Sequence, residues 1–345
     1  MLKRTLLPLL CVLLAACDQP APPAPQADAS ATEAPWLAAE DALAKQLDNE
    51  RAERLRRLTV SASGFGDSID GLLDDPTDER LNTARQAWAR LYQHFNESFV
   101  VLVCQSTLQP VNLVRLERAD SFPILPGYID GLSEWPGSGI VNDMAMPLNR
   151  DSLLEQQAAT LEGEASIGLQ VIHFLLHGEP DAARPVSDFA MVTELDEESV
   201  GELADQPNNR RRLYLQLATD LLVEDLLLLS RAESPLTITA ECPTGALRET
   251  VARLIRLESL GNNTQVSQDY LAADARKLAI SGLQAAIQPW LTQDSSRVEW
   301  LDLRAPGNSG KLAPPPAPDS DTRITALQAL HAALAAAERA LRTRQ

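Results

Sequence analysis

The sequence predicts an all-α fold of two packed helical-bundle halves, and three observations predict it. Long stretches repeat apolar residues every three or four positions, the period of an amphipathic helix. Hydrophobic residues make up 45% of the chain but aromatics only 4%, so the available core is mostly Leu and Ala, as in helical bundles. Pro- and Gly-rich segments punctuate these stretches, and an acidic linker from Asp196 to Asp205 leaves one helical group on either side. The 345 residues suffice for one large or two modest domains. The formal charge of −18 comes without any basic patch that would track phosphates, so nucleic acid is not an expected partner. An acidic surface of this kind serves solubility, and it would also concentrate cations.

The N-terminus reads as an export signal over residues 1–16. Lys3 and Arg4 precede an apolar run, Leu6 to Leu14, that is too short to span a bilayer. Leu14-Ala15-Ala16-Cys17 matches a bacterial lipobox. Cleavage before Cys17 and lipidation of its thiol would tether the chain to the inner or outer membrane, facing the periplasm. Residues 17–35, rich in Pro, Ala and Ser, read as a disordered tether.

Residues 36–205 are expected to form the first bundle. A helix from Trp36 to about Ala62 carries Leu43, Leu47, Leu55 and Leu58 on one face, and Gly64-Phe65-Gly66 is expected to break it. A second helix is expected from Thr77 to about Gln105, with Leu81, Ala84, Trp88, Leu91, Tyr92, Phe95, Phe99 and Leu102 in register. Residues 106–150, with many Pro and Gly, read as a long irregular loop, either functional or wrapped over the core. Asn142-Asp143 within it reads as a turn former or as polar groups near a site. Ser152 with Glu155 gives a capping box for the next helix.

The stretch from Ala165 to Glu179 is expected to be a helix apolar almost all round, hence buried. A polar stripe runs along it. Ser166, Gln170, His173 and His177, spaced four, three and four apart, share one face. Buried polar groups without partners cost about 1–3 kcal/mol each, so other side chains, water or a ligand must satisfy them. Gly178 and Pro180 end the helix.

Residues 206–345 are expected to form the second bundle. Arg210 to Arg231 is the strongest amphipathic run, with Leu213, Leu217, Leu221 and Leu228 toward a core; Asp220 and Glu224 on it form either an acidic patch or a solvated face. Helices are expected over Glu241 to Leu260 and Thr264 to Leu291. After a Pro-rich linker at 304–321, a last Ala-rich helix runs from Thr322 to about Arg342. His94 and His331 read as surface residues. Cys104 and Cys242 either pair in an oxidising compartment or pack as free thiols, and their spacing is not that of a zinc site.

Gly168 followed by Phe174-Leu175-Leu176-His177-Gly178 resembles the signature helix of the imelysin family of bacterial cell-envelope proteins, whose pattern is Gly-x-His-x-x-Glu and then Phe-Leu-Leu-Trp-Gly. Gln170 stands where that family has His, His173 where it has Glu, and His177 where it has Trp. Tyr128-Ile129-Asp130-Gly131, Arg184-Pro185, Asp188-Phe189, Arg211-Arg212-x-Tyr214-Leu215 and Asn263-Thr264-Gln265 extend the resemblance over about residues 80–295, with Gln265 in place of a family His. The resemblance implies two helical-bundle domains and a site made by the signature helix and the turn at 263–265. By position, that site would hold a ligand through Gln170, His173, Asn263, Thr264 and Gln265.

The family is linked to iron uptake and has also been classed as a peptidase, so iron or zinc is the cofactor it implies and an envelope iron-transport component the partner. Carboxamides are poor ligands for such metals. His173 and His177 have the spacing of a helical metal pair, but Phe174 stands where a metalloprotease helix has its Glu. The expected function is therefore that of a lipid-anchored periplasmic binding protein in an iron-uptake-related process, with no catalytic residue. The alternatives are a metallopeptidase with a rearranged site and a scaffold whose site is vestigial.

Overall fold

A computed structural model of the chain describes residues 30–158, 163–197, 199–231, 241–260, 270–291 and 320–342. Among them lie eleven α-helices and one two-stranded antiparallel ribbon, so the fold is all-α. Helices α1 (Ser30–Asp74), α2 (Asp78–Glu97), α3 (Phe99–Leu108), α4 (Pro110–Ala119), α5 (Pro126–Ile129), α6 (Arg150–Gln156) and α7 (Leu169–His177) precede the ribbon. Its strands, β1 (Gly178–Glu179) and β2 (Ala182–Ala183), form a tight hairpin. Then come α8 (Pro207–Leu229), α9 (Glu241–Ser259), α10 (Ala273–Leu291) and α11 (Ser320–Arg342). No helix among the described residues is long and apolar enough to cross a membrane.

The helices form two groups that share α2. On one side α1 packs along α2 and α8, and α7 lies between α2 and α8. On the other, α9 packs on α11, α3 and α10, while α10 also packs along α2. Helix α4 joins the groups by touching both α3 and α8. The core is continuous, from Phe65 and Trp88 through Phe174 and Tyr214 to Leu254 and Leu283.

Several boundaries differ from expectation for identifiable reasons. α1 already includes Ser30, inside the segment expected to be tether. It also runs through Gly64-Phe65-Gly66. Two interior glycines cost about 1 kcal/mol each, but Leu58, Ala62, Phe65, Ile69 and Leu72 are all buried along this stretch. A β-carbon at Gly66 would meet Val223 of α8 at 3.7 Å, an ordinary contact. The helix expected over 77–105 is instead split at Ser98 into α2 and α3. The guanidinium of Arg54 takes the carbonyl of Glu97 at this joint, and Ser98 reaches the carbonyl of Arg54. Within the expected irregular loop lies α4, opened by Pro110 in the first helical position, where a proline lacks nothing the helix needs. The cap of α6 is Asn149, which accepts from the N–H of Ser152 rather than leaving Ser152 as the cap.

The rest of that long segment wraps over the core. Arg210 of α8, itself buried, donates to the carbonyls of Ile140, Val141, Asp143 and Met146 at 2.7–3.1 Å. Asn142 and Asp143 serve the turn there, donating to Ser138 and accepting from Ala145. Along α8 the buried stripe is Tyr214, Leu215, Ala218, Leu221, Leu222, Leu226 and Leu229. Leu213, expected inside, is 43% exposed. Asp220 and Glu224 lie on the exposed face, where Glu224 pairs with Arg150. His94, expected at the surface, is half-buried, and burial pushes its imidazole down. Cys104 of α3 and Cys242 of α9 are joined by a disulfide, with 5.1 Å between their α-carbons. The expected export signal with Cys17, the turn Asn263-Thr264-Gln265 and the linker to residue 319 lie outside the described residues.

Candidate functional site

Helix α7 is shorter than its apolar run, because Gly168 sits at its start with φ +112°. A β-carbon at that position would stand 2.4 Å from the carbonyl oxygen of Arg118. Ser166 therefore precedes the helix and leaves the expected stripe. It is fully buried, donates to the carbonyl of Leu153, and shares the side-chain oxygen of Gln157 with the N–H of Ile167. Gln170, His173 and His177 do share a face of α7.

Both ends of α7 are fixed from outside. Trp88 of α2 donates its indole N–H to the carbonyl of Leu169 at 2.8 Å. Arg85 grips the carbonyls of Leu176 and Arg184, and the N–H of Arg184 reaches the carbonyl of His177. Arg184 and Arg211 converge on the buried carboxylate of Asp130, and Tyr214 donates to the carbonyl of Ser166. The residues that carry the family resemblance thus hold the helix in place.

Every residue from Leu169 to Leu176 is buried, Gln170 and His173 included. The imidazole of His173 stacks on the ring of His177, parallel within 9° at 4.1 Å, and the indole of Trp88 packs beside both, 4.5 Å from His173 and 6.4 Å from His177 by ring centres. Nε2 of His173 stands 3.3 Å from a carboxylate oxygen of Asp274, in the first turn of α10. On this face of α7, Nε2 of Gln170 and Nε2 of His177 are buried without a hydrogen-bond partner among the described residues. Burial, and next the proximity of His173, push the His177 imidazole down to about 3, so it is neutral at physiological pH. The Asp274 carboxyl is held well below the usual carboxylate range, first by its hydrogen bond with His173 and further by the electrostatic influence of that neighbour and by the N–H of Ala275. Partial burial opposes this and loses.

Asp274 is the site residue that sequence reasoning missed. It is one of 48 acidic residues, and no local pattern singles it out. Of the positions implied by resemblance, Gln170 and His173 lie side by side on α7, and Asn263, Thr264 and Gln265 fall outside the described residues.

The amide and imidazole at Gln170 and His173 do not fit a transition metal, because a carboxamide is a poor ligand. Two imidazoles and a carboxylate, at His173, His177 and Asp274, do fit one. A cleft of about 970 Å³ elsewhere in the molecule is lined by Phe99, Val103, Leu116, Phe122, Arg253 and Leu257 among others and touches none of these residues.

The family model of the imelysins (Peptidase M75) matches residues 51–259. No curated protein matches the chain.

Proposed function

The chain belongs to the imelysin family, and we propose that it works in the cell envelope as a lipid-anchored periplasmic binding protein in an iron-uptake-related process. One observation carries the reading. Its signature helix buries a polar row in which Gln170 and His177 each keep an unpartnered nitrogen among the described residues. Such groups cost about 1–3 kcal/mol each unless a ligand answers them, which favours a receiving site over a filled core. The lipobox ending in Cys17 supports the anchor, and the family's link to iron uptake supports the process.

Peptidase action is the less favoured reading. A general base works best when poised near the operating pH. Asp274, the carboxylate at the site among the described residues, is held ionised and turned to His173. It would be a weak base.

The test is made in cells and on the purified protein. Radiolabelled palmitate should enter the parent chain and not Cys17→Ser. A strain lacking the protein should grow slowly and accumulate less iron when iron is scarce, and the purified protein should leave denatured casein intact. Equal growth and iron accumulation with and without the protein would defeat the reading. Casein hydrolysis lost in His173→Ala would put the peptidase in its place.

A further inference from the structure

Three side chains bring metal-ligating atoms together on α7 and α10. The imidazoles of His173 and His177 and the carboxylate of Asp274 place one such atom each within 4.8 Å of the others. We propose that these three hold a divalent first-row transition cation, in a site shifted one helical turn toward the C-terminus of α7 relative to the family's motif positions. The inference rests on the binding-protein reading and names the ligand class of the same helix.

Donor chemistry comes first. Where the family has His and then Glu, this chain has Gln170 and His173, and that pair offers only one good ligand. One turn on, His177 replaces the family's Trp and restores a second imidazole on the same face. Asp274 adds the carboxylate from another helix. Two imidazoles and one carboxylate with open positions suit iron(II), and they suit zinc and cobalt as well.

Geometry comes second. Two ligands on one tetrahedral ion with bonds of about 2.0–2.2 Å stand roughly 3.3–3.5 Å apart. Nε2 of His173 and Oδ2 of Asp274 are 3.3 Å apart. The third ligand is the buried, unpartnered Nε2 of His177; its ring lies flat against His173, so one of the two rings must turn for both to point at one ion. The Trp88 indole packs beside both imidazoles, 4.5 Å from His173 and 6.4 Å from His177 by ring centres, and limits their movement. The Asp274 side chain is 59% exposed, which gives an ion a route in and leaves room for water to complete its coordination.

The competing account is a plain His173–Asp274 hydrogen bond with His177 stacked on it for packing alone. That account leaves the His177 nitrogen unexplained, and it predicts no metal.

The experiment uses the full lipidated chain in detergent, stripped with a chelator and titrated with cobalt(II), followed by visible absorption and by competition with zinc. One equivalent of cobalt should give the intense ligand-field bands of a low-coordinate site, and zinc should abolish them. His177→Ala and Asp274→Asn should each weaken binding by more than the about 10- to 100-fold that loss of an outer-shell partner costs. Asp274→Asn is the safest variant to read, because its side chain is mostly in water; an unchanged melting curve shows that its loss of metal is not loss of fold. Absence of saturable binding in the parent overturns the proposal, as does binding that both variants leave intact. Binding lost in Gln170→Ala but kept in His177→Ala would also overturn it, returning the site to the family's positions. The binding-protein reading is judged separately. If iron-limited growth still depends on the protein while the parent binds no metal, only the metal inference falls.

Discussion

Gly168 shows how much of the site hangs on single positions. Its φ of +112° lies where a side chain is strained, and the nearest obstacle, the backbone oxygen of Arg118, cannot swing aside. Gly168→Ala should therefore destabilise the protein by at least about 2 kcal/mol. It should lower the urea midpoint at unchanged slope; an unaltered midpoint would show that the start of α7 yields easily. The sequence marks Gly168 only by its place in a motif, and it marks Gln170, His173 and His177 by helical spacing, which survives in the structure. Ser166 was misplaced on that stripe because a continuous apolar run hides the point where a helix begins. Asp274 was not legible at all. Its value comes from standing across from His173, 101 residues away in the chain, and no local periodicity encodes that pairing.

At the scale of elements, periodicity located the main helices, while their breaks depended on contacts that it does not record. Gly64 and Gly66 look like a break, yet burial of Ala62, Phe65 and Ile69 carries α1 through them. No residue between Glu97 and Phe99 looks like a break, yet Arg54 reaches across from α1 and ends α2 there. Pairing of Cys104 with Cys242 was left open in the sequence, and in the structure it bonds α3 to α9 across 138 residues. Closing a loop of that length removes unfolded-chain entropy equivalent to about 5 kcal/mol as a ceiling. Replacing both cysteines with alanine, or adding reductant, should cost about 2–5 kcal/mol. The loss should appear as a lower thermal midpoint in both cases. A parent whose midpoint ignores reductant would mean that α3 and α9 hold their register without the bond.

For the whole molecule, composition foretold a Leu- and Ala-rich helical core with few aromatics, and among the described residues most of the rings are placed deep, Trp135 being exposed. All four tyrosines have phenols shifted upward. Burial raises Tyr92 and Tyr270 to about 12, and it drives Tyr214, which also donates to the carbonyl of Ser166, well above its ordinary value. Tyr128 is shifted upward as well, and it donates to the carbonyl of Gln156. The sign of the consequence follows from proton counting. An unfolded phenol loses its proton near 10, whereas the buried ones keep theirs to about 12, so the folded chain holds more protons across that interval. Their contribution to stability is complete below pH 10 and is lost as pH rises toward 12. Phenolate absorption in the ultraviolet should therefore stay flat through pH 10 and then rise in one steep step, together with loss of helical circular dichroism. Gradual ionisation centred on pH 10 with the helices intact would place these rings in water. The packing of Trp88, Tyr92 and His173 around the start of α7 would then be wrong, and with it the rigid backing that the proposed metal site requires.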